Sequence, residues 1–270
     1  MNPTPRDVII ALSVLHGGDW SAVYNAMRKR AFPPDEDVVD IVSSVRSKVI
    51  TFLDDEYPLY LREGCIRPPL ALFYYGDISL LRDPERILTV VGAREPTEYG
   101  ARKTRELCRE MVEKNYILAS GLAYGIDTIA AEESAPKPGH AIAVLGCGID
   151  RMYPLENTPL RDRIASTGLL LSEYSGATPP DSKNFPLRNR ILAGIGKAVF
   201  ASEVHHHSGT SITVAFAMEM DRDVGVLPFR ADEDFANNDF LKHGAALINE
   251  VEDLVLMMEG KPRFRGNFYK

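Results

Sequence analysis

Between Ser182 and Ser202 the chain carries four cations, Lys183, Arg188, Arg190 and Lys197, and no acid, although its formal net charge is −7. A cationic island on an anionic protein points to an anionic partner. Inside it stands Phe185-Pro186-Leu187-Arg188-Asn189-Arg190, an aromatic ring followed by two guanidinium groups. That set suits a nucleic-acid strand, because a ring offers a face to an unpaired base and guanidinium groups take phosphates. The competing reading packs Phe185 in the core and pairs the arginines with carboxylates. As phosphate ligands, Arg188 and Arg190 would each add roughly 0.7 to the log–log salt slope of single-strand binding; as buried ion pairs they would instead support stability. Pro186 favours an extended Phe185 ahead of a helix at 186–196, which places the ring in a polar loop with Lys183 and Asn184.

Four further segments end apolar runs in turns rich in glycine or hydroxyl groups. They are Gly92-Ala93-Arg94, Ser120-Gly121, Gly146-Cys147-Gly148 and Ser208-Gly209-Thr210. Glycine lets the backbone come close to a ligand, and the freed N–H groups at a helix start attract phosphate. Glycine also serves plain strand-to-helix packing, but four such turns with Arg94 and the Arg188/Arg190 pair make a phosphate-binding edge the better explanation. None matches a Walker loop, and no strict Gly-x-Gly-x-x-Gly is followed by an acid at the dinucleotide spacing.

These turns require a sheet to carry them. Short apolar runs at 49–53, 70–75, 87–91, 116–119, 141–145, 169–172, 198–201 and 224–227 alternate with helical patterns at 97–114, 125–135, 157–166, 186–196 and 209–222. The alternation predicts an α/β fold with a doubly wound, mostly parallel sheet, whose ligands sit at the carboxyl ends of the strands. Ahead of it, Val8, Ile9, Leu12 and Leu15 keep helical spacing up to Gly17-Gly18, Asp19 can cap a second helix, and a third fits 35–46. The division expected is a small helical unit at 1–47, an extended doubly wound sheet unit at 48–260 that carries the binding edge and a basic tail at 261–270.

Bulk properties narrow the class. At 270 residues, 45% hydrophobic and 26% charged, the chain can bury a full core. No apolar run is long enough to span a bilayer, and the start MNPTPRDVII has no secretory pattern. Cys65, Cys108 and Cys147 are far apart, which predicts reduced thiols in the cytoplasm. The acidic balance disfavours indiscriminate duplex binding. With one aromatic and a row of amides as its reading surface, a sequence-tolerant preference for single strands follows.

The motifs together resemble one family. Gly92-Ala93-Arg94-Glu95-Pro96-Thr97-Glu98-Tyr99-Gly100, Ser120-Gly121-Leu122-Ala123-Tyr124-Gly125-Ile126-Asp127, Val144 to Asp150 with Tyr153-Pro154 and Asn157, Ser172-Glu173-Tyr174, the Phe185–Arg190 segment and Ser208 to Thr213 occur in this order. Over residues 49–257 the chain is similar to the DNA-processing protein A (DprA/Smf) family. The resemblance extends to Tyr57-Pro58 and to Pro68-Pro69-Leu70 through Gly76-Asp77, which look like that family's sheet extension. It implies a Rossmann-like fold, single-stranded DNA binding, a homodimer and no catalysis. It also implies a role in natural transformation, protecting incoming strands and loading a RecA-type recombinase. Carried over, Arg94, Ser120, Gly121, Lys183, Phe185, Arg188, Asn189, Arg190, Ser208 and Gly209 would line the DNA pocket, with no cofactor or metal. The chain departs from the family pattern at Tyr124, where arginine is usual, at Ala131, where histidine is usual, and at Leu227-Pro228-Phe229, where the turn usually ends in glycine. By the same resemblance, the winged-helix domain often found after this fold is expected to be absent after Met258.

Other constellations carry less. Three successive histidines, His205 to His207, cannot all reach one ion from a strand. Asp127 and Glu173 form an acid/base pair only if the fold brings them together, and a helix start favours Asp127 anyway. Ser120 lacks the Gly-x-Ser-x-Gly context of a hydrolase nucleophile. The alternative function is nucleotide binding or nucleoside processing on a related sheet; a mononucleotide site would saturate with one small ligand, whereas single-strand binding would grow with length.

Overall fold

The computed structural model describes residues 2–176 and 178–261; of the basic tail expected at 261–270, all but Lys261 lies outside the described residues. Three helices lead: α1 (Pro5–Leu15), α2 (Trp20–Lys29) and α3 (Asp35–Ser44). Thr4 and Asp7 close a capping box on α1, and Asp19 caps α2 by accepting from the Ala22 N–H. These helices share their core with the sheet that follows: Ile9, Leu12, Val23 and Ala26 pack with Leu70 and Ala71. Arg6 pairs with Asp54 at 2.9 Å, and Trp20 Nε1 donates to the Pro68 carbonyl at 2.8 Å.

The strands are β1 (Lys48–Thr51), β2 (Ala71–Gly76), β3 (Ile87–Val91), β4 (Ile117–Ser120), β5 (Ala141–Leu145), β6 (Leu169–Ser172), β7 (Ala198–Ala201), β8 (Asp223–Val226) and β9 (Ala246–Leu247). Between them run α4 (Leu59–Gly64), α5 (Glu98–Glu113), α6 (Ile126–Ser134), α7 (Thr158–Thr167), α8 (Asn184–Ile195), α9 (Gly209–Glu219), α10 (Asn237–Lys242) and α11 (Val251–Met258). One sheet forms in the order β1-β2-β6-β5-β4-β3-β7-β8-β9. The pairs from β6 to β9 are parallel, while β1 and β2 extend the edge antiparallel. The fold is α/β and Rossmann-like.

Burial on both faces explains the unbroken apolar strands, since β3 and β5 are buried along their whole length. Ile87 and Val91 pack with Leu192, Ile195 and Val214 from α8 and α9 on one face. Leu88 and Val90 pack with Leu107, Met111 and Ile129 from α5 and α6 on the other. Strand order reverses at β3, whose neighbours are β4 and β7. Loops leaving β3 and β7 therefore diverge, and a crevice opens at their carboxyl ends.

α8 begins earlier than the sequence suggests. Phe185 lies in its first turn rather than in an extended loop. Asp181 sets the turn: its carboxylate accepts from the Lys183 N–H at 3.0 Å and its carbonyl from the Asn184 N–H at 2.9 Å. Pro186 is tolerated there because a first-turn N–H has no helical partner to lose. Among the described residues no helix is long and apolar enough to cross a membrane.

Candidate nucleic-acid interface

The ends of β3 and β7 lie side by side, with Val91 opposite Ala201. Gly92, Ala93 and Arg94 follow β3; the segment from Ser202 to Gly209 follows β7 and leads into α9. Together with the first turn of α8 they enclose an open groove of about 810 Å³. Its walls include Arg94, Tyr153, Phe185, Asn189, His205, His207, Ser208 and Gly209.

Each wall is held by a specific contact. Glu203, fully buried, accepts from the Thr97 N–H at 3.0 Å and from its hydroxyl at 2.7 Å, fixing the loop that carries Arg94. Thr210 Oγ1 donates to the Gly92 carbonyl at 2.9 Å and joins the two loops. Ser208 caps α9 by accepting from the Ser211 N–H, leaving Gly209 exposed at the positive end of the helix dipole. Phe185 is half-buried and rests on Gly146, where an added Cβ would come within 2.6 Å of its ring. Only glycine lets the ring come this close to the end of β5. Its ring centroid lies 5.7 Å from that of Tyr153, the planes tilted by 47°.

Arg188 forms part of the floor, with its Nε and Nη1 donors already committed. It is buried and donates to the Gly121 carbonyl at 2.9 Å, to the Val144 carbonyl and, through Nε, to Asn189 Oδ1 at 3.1 Å. Asn189 passes the support on, donating to the Gly209 carbonyl at 3.0 Å. A side chain at 121 would meet the Arg188 guanidinium at 2.5 Å, so this glycine is required by the arginine. Ser120 and Gly121 sit behind the groove instead of lining it. The Gly121 N–H donates to Asp127 Oδ2 at 2.9 Å, and the Ser120 hydroxyl to the Asp127 carbonyl at 3.3 Å. Burial pushes the Asp127 carboxyl above the usual carboxylate range, and Arg188 is the foremost charge opposing that rise. Burial likewise lowers the Arg188 pKa, with Asp127 as the main counterweight.

Arg190 lies outside the groove. Its side chain is 3% exposed and grips Glu173 with two bonds of 2.7 and 2.6 Å. Nε donates to the Arg67 carbonyl at 3.0 Å. The geometry makes Arg190 a clamp joining α8, the end of β6 and the loop before β2. Asp127 and Glu173 thus serve different arginines and form no acid/base pair. Lys183 is exposed beside Asp181 at 3.3 Å, next to the groove rather than on its wall. Sequence reasoning left Tyr153 outside the pocket; its only signal was an aromatic beside Pro154 in the loop after β5. His205 and His207 line the groove while His206 faces Asp234 at 3.4 Å. Among the described residues no group of three or more His, Cys, Asp or Glu is placed to hold a metal.

Residues 48–259 match the family described as DNA recombination-mediator protein A. The chain belongs to that family. It is 38% identical over 213 residues to Protein Smf of Synechocystis sp., covering 77% of this chain and 53% of that one. It is 36% identical over 211 residues to the DNA processing protein DprA of Streptococcus pneumoniae, covering 77% and 73%. The chain therefore spans about half the length of the Synechocystis protein. The DprA structure from Streptococcus pneumoniae superposes with a TM-score of 0.74 at 27% identity, covering 94% of this chain and 98% of that one. DNA processing protein A from Helicobacter pylori, whose structure addresses its single-stranded DNA binding mode, gives 0.71 at 29% identity, covering 80% and 97%. The DprA/Smf fold thus accounts for the sheet extension as well as for the central strands.

Proposed function

We propose that this chain binds single-stranded DNA in the groove between β3 and β7 and acts without catalysis as a recombination mediator of the DprA type. The observation that carries the reading is the groove itself. It is open, it lies at the strand-order reversal, and it brings the exposed Arg94, the α9 N-terminus and the ring of Phe185 onto one lining. Phosphates fit the first two and a base the third. The Helicobacter pylori relative has a single-stranded DNA binding mode, which supports the same ligand here. Within this reading the contact set is Arg94, Phe185, Ser208 and Gly209, with Lys183 at the margin. Arg188 and Asn189 shape the floor; Ser120, Gly121 and Arg190 act from behind it. A homodimer that hands strands to a RecA-type recombinase in the cytoplasm, during natural transformation, completes the proposal.

Phe185 gives the direct test. Alanine at 185 costs about 1–3 kcal/mol of oligothymidine affinity, the range for one stacked base. Tyrosine retains most of the affinity and leucine does not. Because the ring is half-buried on Gly146, the alanine variant loses less stability than the roughly 3–5 kcal/mol of a core phenylalanine. A leucine variant that binds like wild type would remove the stacking role. Free nucleotides titrated in parallel address the alternative: a site that saturates with one mononucleotide, with no gain from strand length, would make this a nucleotide-binding protein.

Duplex supplies a second expectation. The groove offers no recognition helix and its aromatic needs an unpaired base, so a hairpin duplex binds more weakly than oligothymidine of equal length. Equal affinities in a competition assay would contradict it.

A further inference from the structure

Beyond the groove lies a second aromatic surface. Tyr153 and Tyr124 are 44% and 42% exposed, and Leu155 beside them is 75% exposed. Single exposed rings are ordinary, but Tyr153 and Leu155 line one cavity and so form a contiguous apolar patch. The loop after β4 and the loop after β5 are stitched together by Asn157. Its buried amide donates to the Leu122 carbonyl at 3.0 Å and to Thr128 Oγ1 at 2.8 Å. Tyr124 Oη donates to Glu156 Oε2 at 2.7 Å, which ties the exposed ring to the loop after β5. Tyr153 in turn lies beside Phe185 and forms a wall shared by the groove and a smaller cavity lined by Arg151, Leu155 and Pro180.

We infer that Tyr153 and Tyr124 continue the base-stacking surface that starts at Phe185, so that a bound single strand leaves the groove across the loops after β4 and β5. The inference rests on the single-strand reading above. A stacking ring fixed by a hydrogen bond loses little conformational freedom when a base settles on it, and stacking tolerates any base. At Tyr124 the surface offers a ring and no cation. Strand capture here gains contact area without a matching gain in salt dependence.

Two strand lengths separate the groove from its extension. Oligothymidines of about 4 and about 16 nucleotides are titrated against wild type, Tyr124→Ala, Tyr124→Phe and Phe185→Ala. Tyr124→Ala is expected to bind the long strand at least about fivefold more weakly, the effect of one lost stack, and the short strand as wild type does. Tyr124→Phe keeps the ring and retains most of the long-strand affinity. The salt slope of Tyr124→Ala matches wild type, because no phosphate contact is removed. If Tyr124→Ala binds both strands like wild type while Phe185→Ala weakens both, the groove stands and the extension falls. If Tyr124→Ala weakens both strands equally, Tyr124 belongs to the groove and the extension also falls. Wild type that binds neither strand would overturn the single-strand reading itself.

Discussion

Arg190→Ala loses about 3–5 kcal/mol of folding stability, because it leaves Glu173 buried without its partner. Glu173 is 5% exposed and spends both carboxylate oxygens on Arg190. Glu173→Ala strands the guanidinium in the same way and costs a similar amount. Replacing the pair together by Met and Leu recovers much of the loss, since the desolvation cost of both charges disappears with them. Thermal melts of the two single variants and the double variant measure this. Folded Arg190→Ala protein binds oligothymidine with the wild-type salt slope, because the side chain reaches no groove surface. Wild-type stability together with a flattened salt slope would return Arg190 to the phosphate contacts that its neighbourhood in the sequence suggests.

Arg188→Met has a comparable cost at neutral pH and a pH dependence that the Arg190 variant lacks. Asp127 is buried, its pKa is raised by that burial, and Arg188 is the leading charge that lowers it. Removing Arg188 raises the folded-state pKa further. A carboxyl that holds its proton more tightly when folded destabilises the protein as pH rises from the unfolded value through the folded one. The deficit against wild type is therefore largest at neutral pH and shrinks in acid. Melting temperatures of Arg188→Met and wild type differ more at about pH 7 than at about pH 5. Asp127→Asn in the Arg188→Met background removes that pH dependence and restores part of the stability. A deficit that grows in acid would show that Asp127 is not the group Arg188 neutralises.

The fold was legible where strands are buried on both faces. Runs at 87–91, 141–145, 169–172 and 198–201 coincide with β3, β5, β6 and β7, because a continuous apolar stretch bounded by turn residues has few other uses. The runs at 49–53 and 70–75 marked the extension strands, but their antiparallel direction was not readable, since local apolar content does not report which way a neighbouring strand runs. Short α4 and α10, six residues each, fall below the length at which periodicity registers. At the site, Arg94, Phe185, Ser208 and Gly209 come together as their turns suggested. Arg190 does not join them, being paired with Glu173, while Arg188 lines the groove from a buried position with Nε and Nη1 already bonded. An acid-free stretch looks the same whether its cations await phosphate or are paired through space, and Glu173 lies 17 positions from Arg190. Phe185 shows the same limit in reverse: Pro186 argues for an extended residue, yet Asp181 nucleates a helix through it.

Oligothymidine binding measured across a range of salt concentrations, for wild type, Arg94→Gln and Arg190→Met/Glu173→Leu, tests most directly whether the groove is the binding surface. The groove assignment requires Arg94→Gln to lower the log–log slope by roughly 0.7, one phosphate contact, with an unchanged melting temperature, while the paired replacement keeps the wild-type slope. An unchanged slope in Arg94→Gln, with a reduced slope in the paired replacement, would move the DNA away from β3 and β7 and onto the face where Arg190 and Glu173 are buried.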